Sequence, residues 1–340
     1  MSANNVMSTA ETGNRTVGAA TARAPSFFRQ LAGMREAGLI TIIVALFVIM
    51  SFASPYFLTL SNIKAMLLSF SVEGIVVVGM TILLIVGGLD LSVGSVVCLA
   101  MVVSGQLFLM GLDPWLAALC GIGSASAIGA VMGFFVTRVG LHHFIVSLAF
   151  MVIARGAALA ITEGTPLSLF TLPPAVKFVG QGSLWGVPFT IIVFVALVIA
   201  FDYLLRHATA FRKVFYTGSN EQAAAYSGIR TDRVKFLVTV LCSTLAGVAG
   251  VIYMARLGSA PPTFGVGMEL DVIAAAVIGG ASLKGGSGSV LGAVLGVALL
   301  SVVTNSLVLL DVSVYWQDMI KGLILLAAVS LDHFMTRRRG

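Results

Sequence analysis

From Gly38 to Leu331 the chain offers one apolar run after another, most of them about as long as a bilayer is thick, with short polar stretches between. In hydrocarbon the backbone has no water to bond, so each run has to satisfy its own N–H and C=O groups, and about 20 such residues make one spanning helix. Spans are expected near 37–53, 63–86, 91–111, 114–137, 143–161, 187–205, 234–256, 269–283, 287–309 and 315–332. The eighth is short and the second long, which marks both as places for a broken or tilted helix. The fold class is all-α, a polytopic membrane bundle of about ten transmembrane helices.

Composition agrees. Hydrophobic residues make up 58% of the chain and charged ones 10%, where a soluble domain carries about a quarter charged residues. Persistently polar sequence is confined to 1–36, a basic tail rich in Ala, Thr, Ser and Asn without apolar periodicity, to a central loop over 206–235, and to the basic end over 333–340. The tail reads as disordered. It is too long for a cleavable signal, so the first run is expected to stay as a span. The membrane body is 37–332, and any energy-supplying domain is expected on another chain.

The net charge of +6 is explained by placement and not by nucleic acid. With the N-terminus inside and ten spans, only Lys64, Lys177 and Arg256 fall outside, Arg155 and Lys321 fall within spans, and the other fifteen Lys and Arg lie inside. The positive-inside rule therefore puts both termini in the cytoplasm, since removing one span would invert everything after it. Cys98, Cys120 and Cys242 stand singly in apolar runs and read as small buried hydrophobes without metal-ligand spacing.

Two stretches interrupt the apolar pattern. Leu84 to Leu99, LIVGGLDLSVGSVVCL, places two glycines, an aspartate and two serines where a bilayer tolerates loose backbone only under a cover of protein or water. Ala276 to Gly292 echoes it, with Gly87, Gly88, Gly94 and Ser95 recurring 192 residues on as Gly279, Gly280, Gly286 and Ser287. These read as matched helix breaks. In the central loop, a helix-like segment lies between Gly218 and Gly228, with Asn220 as its cap and Glu221 in its first turn. A short exposed helix there suits a membrane subunit that receives force from a separate motor.

GGLDLSVGS at Gly87 to Ser95, GSNEQAAAYSGI at Gly218 to Ile229, the long stretch from Ala255 to Gly292, and VYWQDMIKG at Val314 to Gly322 resemble the permease subunits of bacterial ABC sugar importers. The resemblance is to the ribose-type branch, with its xylose, arabinose, galactose, inositol and autoinducer-2 permeases, and it runs from the first span to the end of the chain. It implies a multi-pass protein of the bacterial inner membrane that pairs with a second permease, identical or paralogous. A periplasmic sugar-binding protein would serve it outside, and an ATPase with two nucleotide-binding halves, holding ATP and Mg, inside. No cofactor is expected in this chain. The family's coupling segment maps onto Gly218, Asn220, Glu221, Ala224, Ser227, Gly228 and Ile229. Glu73 and Asp318 depart from the family pattern, where related chains carry apolar or small residues.

Charge inside a span costs about 2.5–3.5 kcal/mol at its centre, so each polar residue there needs a reason. Asp90, with Ser92 beside it, is expected to pin the start of a broken helix; Glu269 and Asp271 open the eighth span near the outer face, as dipole compensation or as a gate. Asn305 and Gln317 complete the pathway candidates. Glu73 is expected to pair with Arg155 or Lys321, and Asp318 with Lys321 three residues on. His142 and His143 stand at a span end as solvated interfacial residues. Gly121, Gly129 and Gly133, like Gly292 and Gly296, suit close helix contact within the chain or across a dimer.

Gly286, Gly288 and Gly292 do not make a nucleotide loop, since the Lys-Ser/Thr of a P-loop and its β-α-β context are missing, and no catalytic motif or Cys/His cluster appears. Two alternatives stay open: an ion-coupled secondary transporter, and the same ABC mechanism carrying nucleosides or branched-chain amino acids. The handover of cargo is expected near the outer loops Thr162–Trp185 and Gly258–Glu269.

Overall fold

Each apolar run forms a helix in the computed structural model, which describes residues 35–337. In chain order these are α1 Arg35–Ala53, α2 Leu60–Ile85, α3 Val93–Leu109, α4 Pro114–Phe134 with a π-helical turn to Val139, and α5 His143–Thr162. After a strand β1 (Leu167–Ser168), a short helix α6 (Pro174–Gln181) and a hairpin of β2 (Ser183–Leu184) with β3 (Val187–Pro188) comes α7, Phe189–His207. The central loop folds as α8 Thr209–Ser219 and α9 Glu221–Tyr226; then follow α10 Thr231–Leu257, β4 Ser259–Ala260, α11 Met268–Ile278, α12 Val290–Leu309 and α13 Val314–Arg337. Seven of the described helices are long and apolar enough to cross a membrane. The protein is a helical membrane bundle. Apart from Arg35 and Glu36, which begin α1, the expected N-terminal tail lies outside the described residues, as do Arg338 and Arg339.

Helix ends follow local chemistry. Asp113 Oδ1 accepts from the amides of Trp115 (3.0 Å) and Leu116 (3.2 Å), and Pro114 occupies the first position of α4, where its missing N–H costs nothing. α10 stops where Gly258 turns left-handed at φ 60°.

The centre is α2 with α10. Of the most apolar 18 residues in each, 78% and 67% are buried, against 6% in α1, which lies along α12 at the edge. Helices around this centre are built inside out. On α5, His143, Ser147, Ala154 and Ala158 face inward while Ile145, Val152 and Ile153 are exposed. Lipid is as apolar as leucine, so close packing rather than hydrophobicity joins the helices, and small residues do it. Gly129 and Gly133 of α4 sit against Ser243 and Phe236 of α10, with a 2.8 Å hydroxyl contact between Ser126 and Thr244 beside them. Gly121 meets Ser104 and the carbonyl of Ala100 on α3. The glycine spacings therefore serve contacts within one chain. Cys98 and Cys242 are buried as expected, but Cys120 is exposed, because its face of α4 points away from α3 and α10.

Candidate functional site

The two glycine-rich breaks and the segment Gly218 to Ile229 meet at one place. α2 and α11 end in the same turn: Gly87 N–H donates to Leu84 O and Gly88 N–H to Leu83 O, while Gly280 N–H donates to Val277 O and Ala281 N–H to Ala276 O, all at 2.9 Å. Gly87 at φ 86° and Gly280 at φ 101° hold the left-handed position each turn requires. The structural counterpart of Gly87 is thus Gly280, one residue off the sequence echo that paired it with Gly279. The amide of Gly286 donates to the carbonyl oxygen of Ile85 at 2.8 Å, joining the second break to the end of α2. Into this corner comes the last turn of α8. A methyl group on Gly218 would overlap Ile85 O and approach Gly286 N, and a methyl on Gly286 would run into Ser219. Gly218 is therefore demanded by close approach and lies inside α8, not ahead of a helix as its sequence position suggests.

α9 hangs from this corner. Asn220 caps it, its Oδ1 accepting from Ala223 N at 2.9 Å, and Gly228 ends it at φ 81° with its amide on Ala225 O. Glu221 Oε1 reaches Lys235 Nζ in α10 at 2.6 Å, and Ala224 is buried while Ser227 is exposed. The amide of Ile229 donates to Ala224 O. α9 thus contacts α10 through this ion pair, and the end of α8 beside it contacts both breaks through Gly218 and Ser219.

The first break, residues 86–92, is tied down by side chains. Asp90 Oδ1 accepts from Ser92 N (2.7 Å) and Ser92 Oγ (2.6 Å), which pins the start of α3; its other oxygen is buried without a partner. His143 Nδ1–H donates to Leu89 O at 2.8 Å, Ser147 Oγ donates to the same oxygen at 3.2 Å, and His143 Nε2 lies 3.0 Å from Thr239 Oγ1. His143 is buried, contrary to the solvated role expected of it; only His142, whose ring caps α5 through Phe144 N, faces outward. The signal was present in the helical phase: His143 and Ser147 share the small-residue face of α5.

The eighth apolar run also departs from expectation. α11 has 11 residues, about 16 Å of helix, and the segment ahead of it, 261–267, is a run of turns in which Gly265 and Gly267 take φ 72° and 81°. Arg155 Nη1 donates to Pro262 O (2.9 Å) and Phe264 O (2.7 Å), Cys98 Sγ lies 3.2 Å from Pro262 O, and Gly265 packs on Gly94. Since Gly250, seven residues before the end of α10, lies against Val97, and Cys98 beside Val97 meets Pro262 O, this turn segment reaches about 10 Å inside that end. Irregular backbone at such depth is allowed because protein covers it. Glu269 and Asp271 consequently begin α11 deep in the bundle and not at its outer face. Arg155, occupied with these carbonyls, does not pair with Glu73. The two outer loops do come together: Leu167 and Ser168 pair with Ala260 and Ser259, and Gln181 Nε2 donates to Ala255 O (3.2 Å) and Arg256 O (3.0 Å).

A cavity of about 240 Å³ with a mixed polar and apolar lining lies between α2, α11, α12 and α13. Glu73, Asp271, Lys321, Ser69, Ser301, Thr304 and Asn305 face it, with Val77, Val272 and Leu300 as apolar walls. Lys321 Nζ donates to Asp271 Oδ2 at 2.9 Å, so its partner is Asp271 and not Asp318, which is exposed. Asn305 and Asn62 exchange amide bonds of 2.8 and 3.0 Å at the rim. Of the six pathway candidates, Asp271 and Asn305 line this cavity, Asp90 and Ser92 belong to the first break, and Glu269 sits against Gly94. Gln317 bonds Val312 O at 2.8 Å in the first turn of α13, outside the cavity lining. Among the described residues no group of three or more His, Cys, Asp or Glu is placed to hold a metal ion.

The family described as "Branched-chain amino acid transport system / permease component" matches residues 62–329. The chain belongs to this family. The permease is 37% identical to the ribose import permease protein of Escherichia coli (strain K12) over 302 residues, covering 88% of this chain and 94% of that protein. It is 37% identical to the ribose import permease protein of Bacillus subtilis (strain 168), over 84% and 89% of the two chains. Against the L-arabinose transport system permease protein of Escherichia coli (strain K12) the identity is 34%, over 89% of the permease and 92% of that relative. The matched region begins in α2 and ends in α13, so it includes both breaks, the coupling segment and the cavity.

Proposed function

We propose that this chain is the transmembrane permease subunit of an ATP-driven importer that carries a monosaccharide across the bacterial inner membrane. Ten crossings, counting the short α3 and α11, place both termini and α8–α9 in the cytoplasm, as the distribution of Lys and Arg favours. An ATPase with two nucleotide-binding halves, holding ATP and Mg, docks on Gly218 to Ile229. A periplasmic binding protein delivers the sugar at the paired loops Thr162–Trp185 and Gly258–Glu269, and a second permease completes the pathway. The chain itself carries out no hydrolysis.

The observation that carries this reading is the corner where Gly218, Ile85 and Gly286 touch, since it gives a force applied at α9 a short route to both helix breaks. Closure of the motor on ATP moves α9; Glu221 draws Lys235 and α10 with it, and the last turn of α8 displaces the ends of α2 and α11. The start of α12 follows, and the cavity holding Asp271, Asn305 and Glu73 changes its access. The relatives' names favour a sugar, whereas the family description names branched-chain amino acids.

Proteoliposomes separate the alternatives. With ATPase and binding protein present, uptake of labelled ribose, arabinose or allose should require internal ATP. Uptake by the chain alone under a proton or sodium gradient would make it a secondary transporter, and ATP-driven uptake of leucine or a nucleoside without any sugar would reassign the cargo.

A further inference from the structure

α8 lies beside the start of α10 with Val214 and Thr217 buried and Arg212, Lys213 and Tyr216 exposed, the distribution of a helix resting in a membrane interface. Between the two helices runs a groove of about 640 Å³. Three cations line it, Lys213, Arg230 and Arg233, and its walls are apolar, chiefly Phe211, Leu237 and Leu241. No carboxylate lines the groove. The acid nearest in sequence, Asp232, faces the two neighbouring hollows, with Arg138 in one and with Glu221 and Lys235 in the other. None of the three cations has an ion-pair partner among the described residues.

The charges stand at one end and the apolar wall runs away from them. Arg233 and Leu241 are eight residues apart on α10, about 12 Å along its axis, and Leu237 between them is 63% exposed. We propose that the groove seats an anionic phospholipid, its phosphate among Lys213, Arg230 and Arg233 and an acyl chain along Leu237 and Leu241. A basic hollow beside a transmembrane helix at the headgroup level recognises a lipid phosphate. A soluble partner docking on α9 has no access to leucines a further two turns into hydrocarbon, and a free phosphate leaves them uncovered. The inference needs only that α10 crosses the bilayer, so it does not depend on the cargo. Its consequence for transport is direct: the lipid bridges α8 to α10, and α8 ends at Gly218 against both helix breaks.

The test is lipid retention by the purified full chain in native mass spectrometry, titrating phosphatidylglycerol against phosphatidylethanolamine of the same chains and against inorganic phosphate. The wild type should retain one phosphatidylglycerol per chain in preference to the zwitterionic lipid. At about fivefold per basic residue near the surface, Arg233→Gln should weaken retention about fivefold and K213Q/R230Q/R233Q roughly a hundredfold; the single variant decides if the triple one does not fold. Leu237→Asn should also weaken the lipid, separating it from a soluble anion. Undiminished phosphatidylglycerol in Arg233→Gln, equal retention of phosphatidylethanolamine, or displacement of the lipid by millimolar phosphate would overturn the assignment.

Discussion

The two breaks stop their helices with the same turn, yet they are held in different ways. The first is fastened by side chains from two other helices: His143 and Ser147 of α5 hold Leu89, and Thr239 of α10 holds His143. The second is held by backbone and by its own serines. Ser282 Oγ accepts from Lys284 N at 3.3 Å, Ser289 Oγ caps α12 through Gly292 N, and Gly280, Gly285 and Gly286 all have positive φ. Apart from its bonds to the adjoining helices α11 and α12, its one backbone bond among the described residues runs from Gly286 N to Ile85 O. The contrast teaches that a shared helix-stop motif does not imply a shared mechanical role. The first break is tied to α5 and α10 by side chains, and the second meets the end of α2 and α8 through close backbone contacts.

The sharpest way to break this contrast is at the contact the two share. Gly218→Val would drive a branched side chain into the Ile85 carbonyl, a backbone atom with no rotamer to escape into, and overpacking of this kind costs about 3 kcal/mol. ATP-driven uptake should be lost and the melting temperature of the purified chain should fall more than in any variant below; normal uptake would mean that the corner is not a working contact. Next comes the anchor itself. His143→Ala removes a donor from a buried carbonyl and should cost about 1–3 kcal/mol, with partial recovery in His143→Asn, whose amide keeps a donor. Ser282→Ala in the second break should cost about 0.5 kcal/mol, and equal losses from the two in denaturant melts would erase the distinction. An effect between those of the two breaks is expected in the cavity, away from both. Lys321→Met leaves Asp271 and Glu73 facing one space without a cation, and because the pair is part exposed the loss should be about 1 kcal/mol. Asp271→Asn in the same chain should restore it, and a double-mutant cycle reads the coupling.

Much of this architecture was legible from residue order. Every apolar run became a helix within a few residues of its expected ends, because span length and polar punctuation are local properties. The Asn220 cap, the Asp90–Ser92 turn and the glycine-marked helix stops were readable for the same reason, since each is decided within a few neighbouring residues. What stayed hidden depends on partners far away in the chain. Lys321 was expected to meet Asp318 on its own helix and instead meets Asp271, fifty residues earlier, because α13 turns that face toward α11. His143 looked solvated because a histidine pair at a span end usually is, and only the packing of α5 on the first break buries it. The depth of the turn segment 261–267 before α11 could not be read from hydropathy, which does not tell a loop covered by protein from one at the surface. That Gly218 answers a clash with Ile85, and not a turn, follows from a contact 133 residues apart in sequence.

The central claim is that force enters through α9 and reaches the breaks through contacts with α8 and α10. The measurement that tests it most directly is the amount of sugar moved per ATP hydrolysed by the assembled importer in proteoliposomes, for the wild type and for Glu221→Arg with Gly228→Trp. The substitutions reverse the charge facing Lys235 and place a bulky side chain at φ 81°. The account predicts that the double variant still inserts and still supports ATP hydrolysis while sugar moved per ATP falls at least tenfold. An unchanged ratio would contradict it.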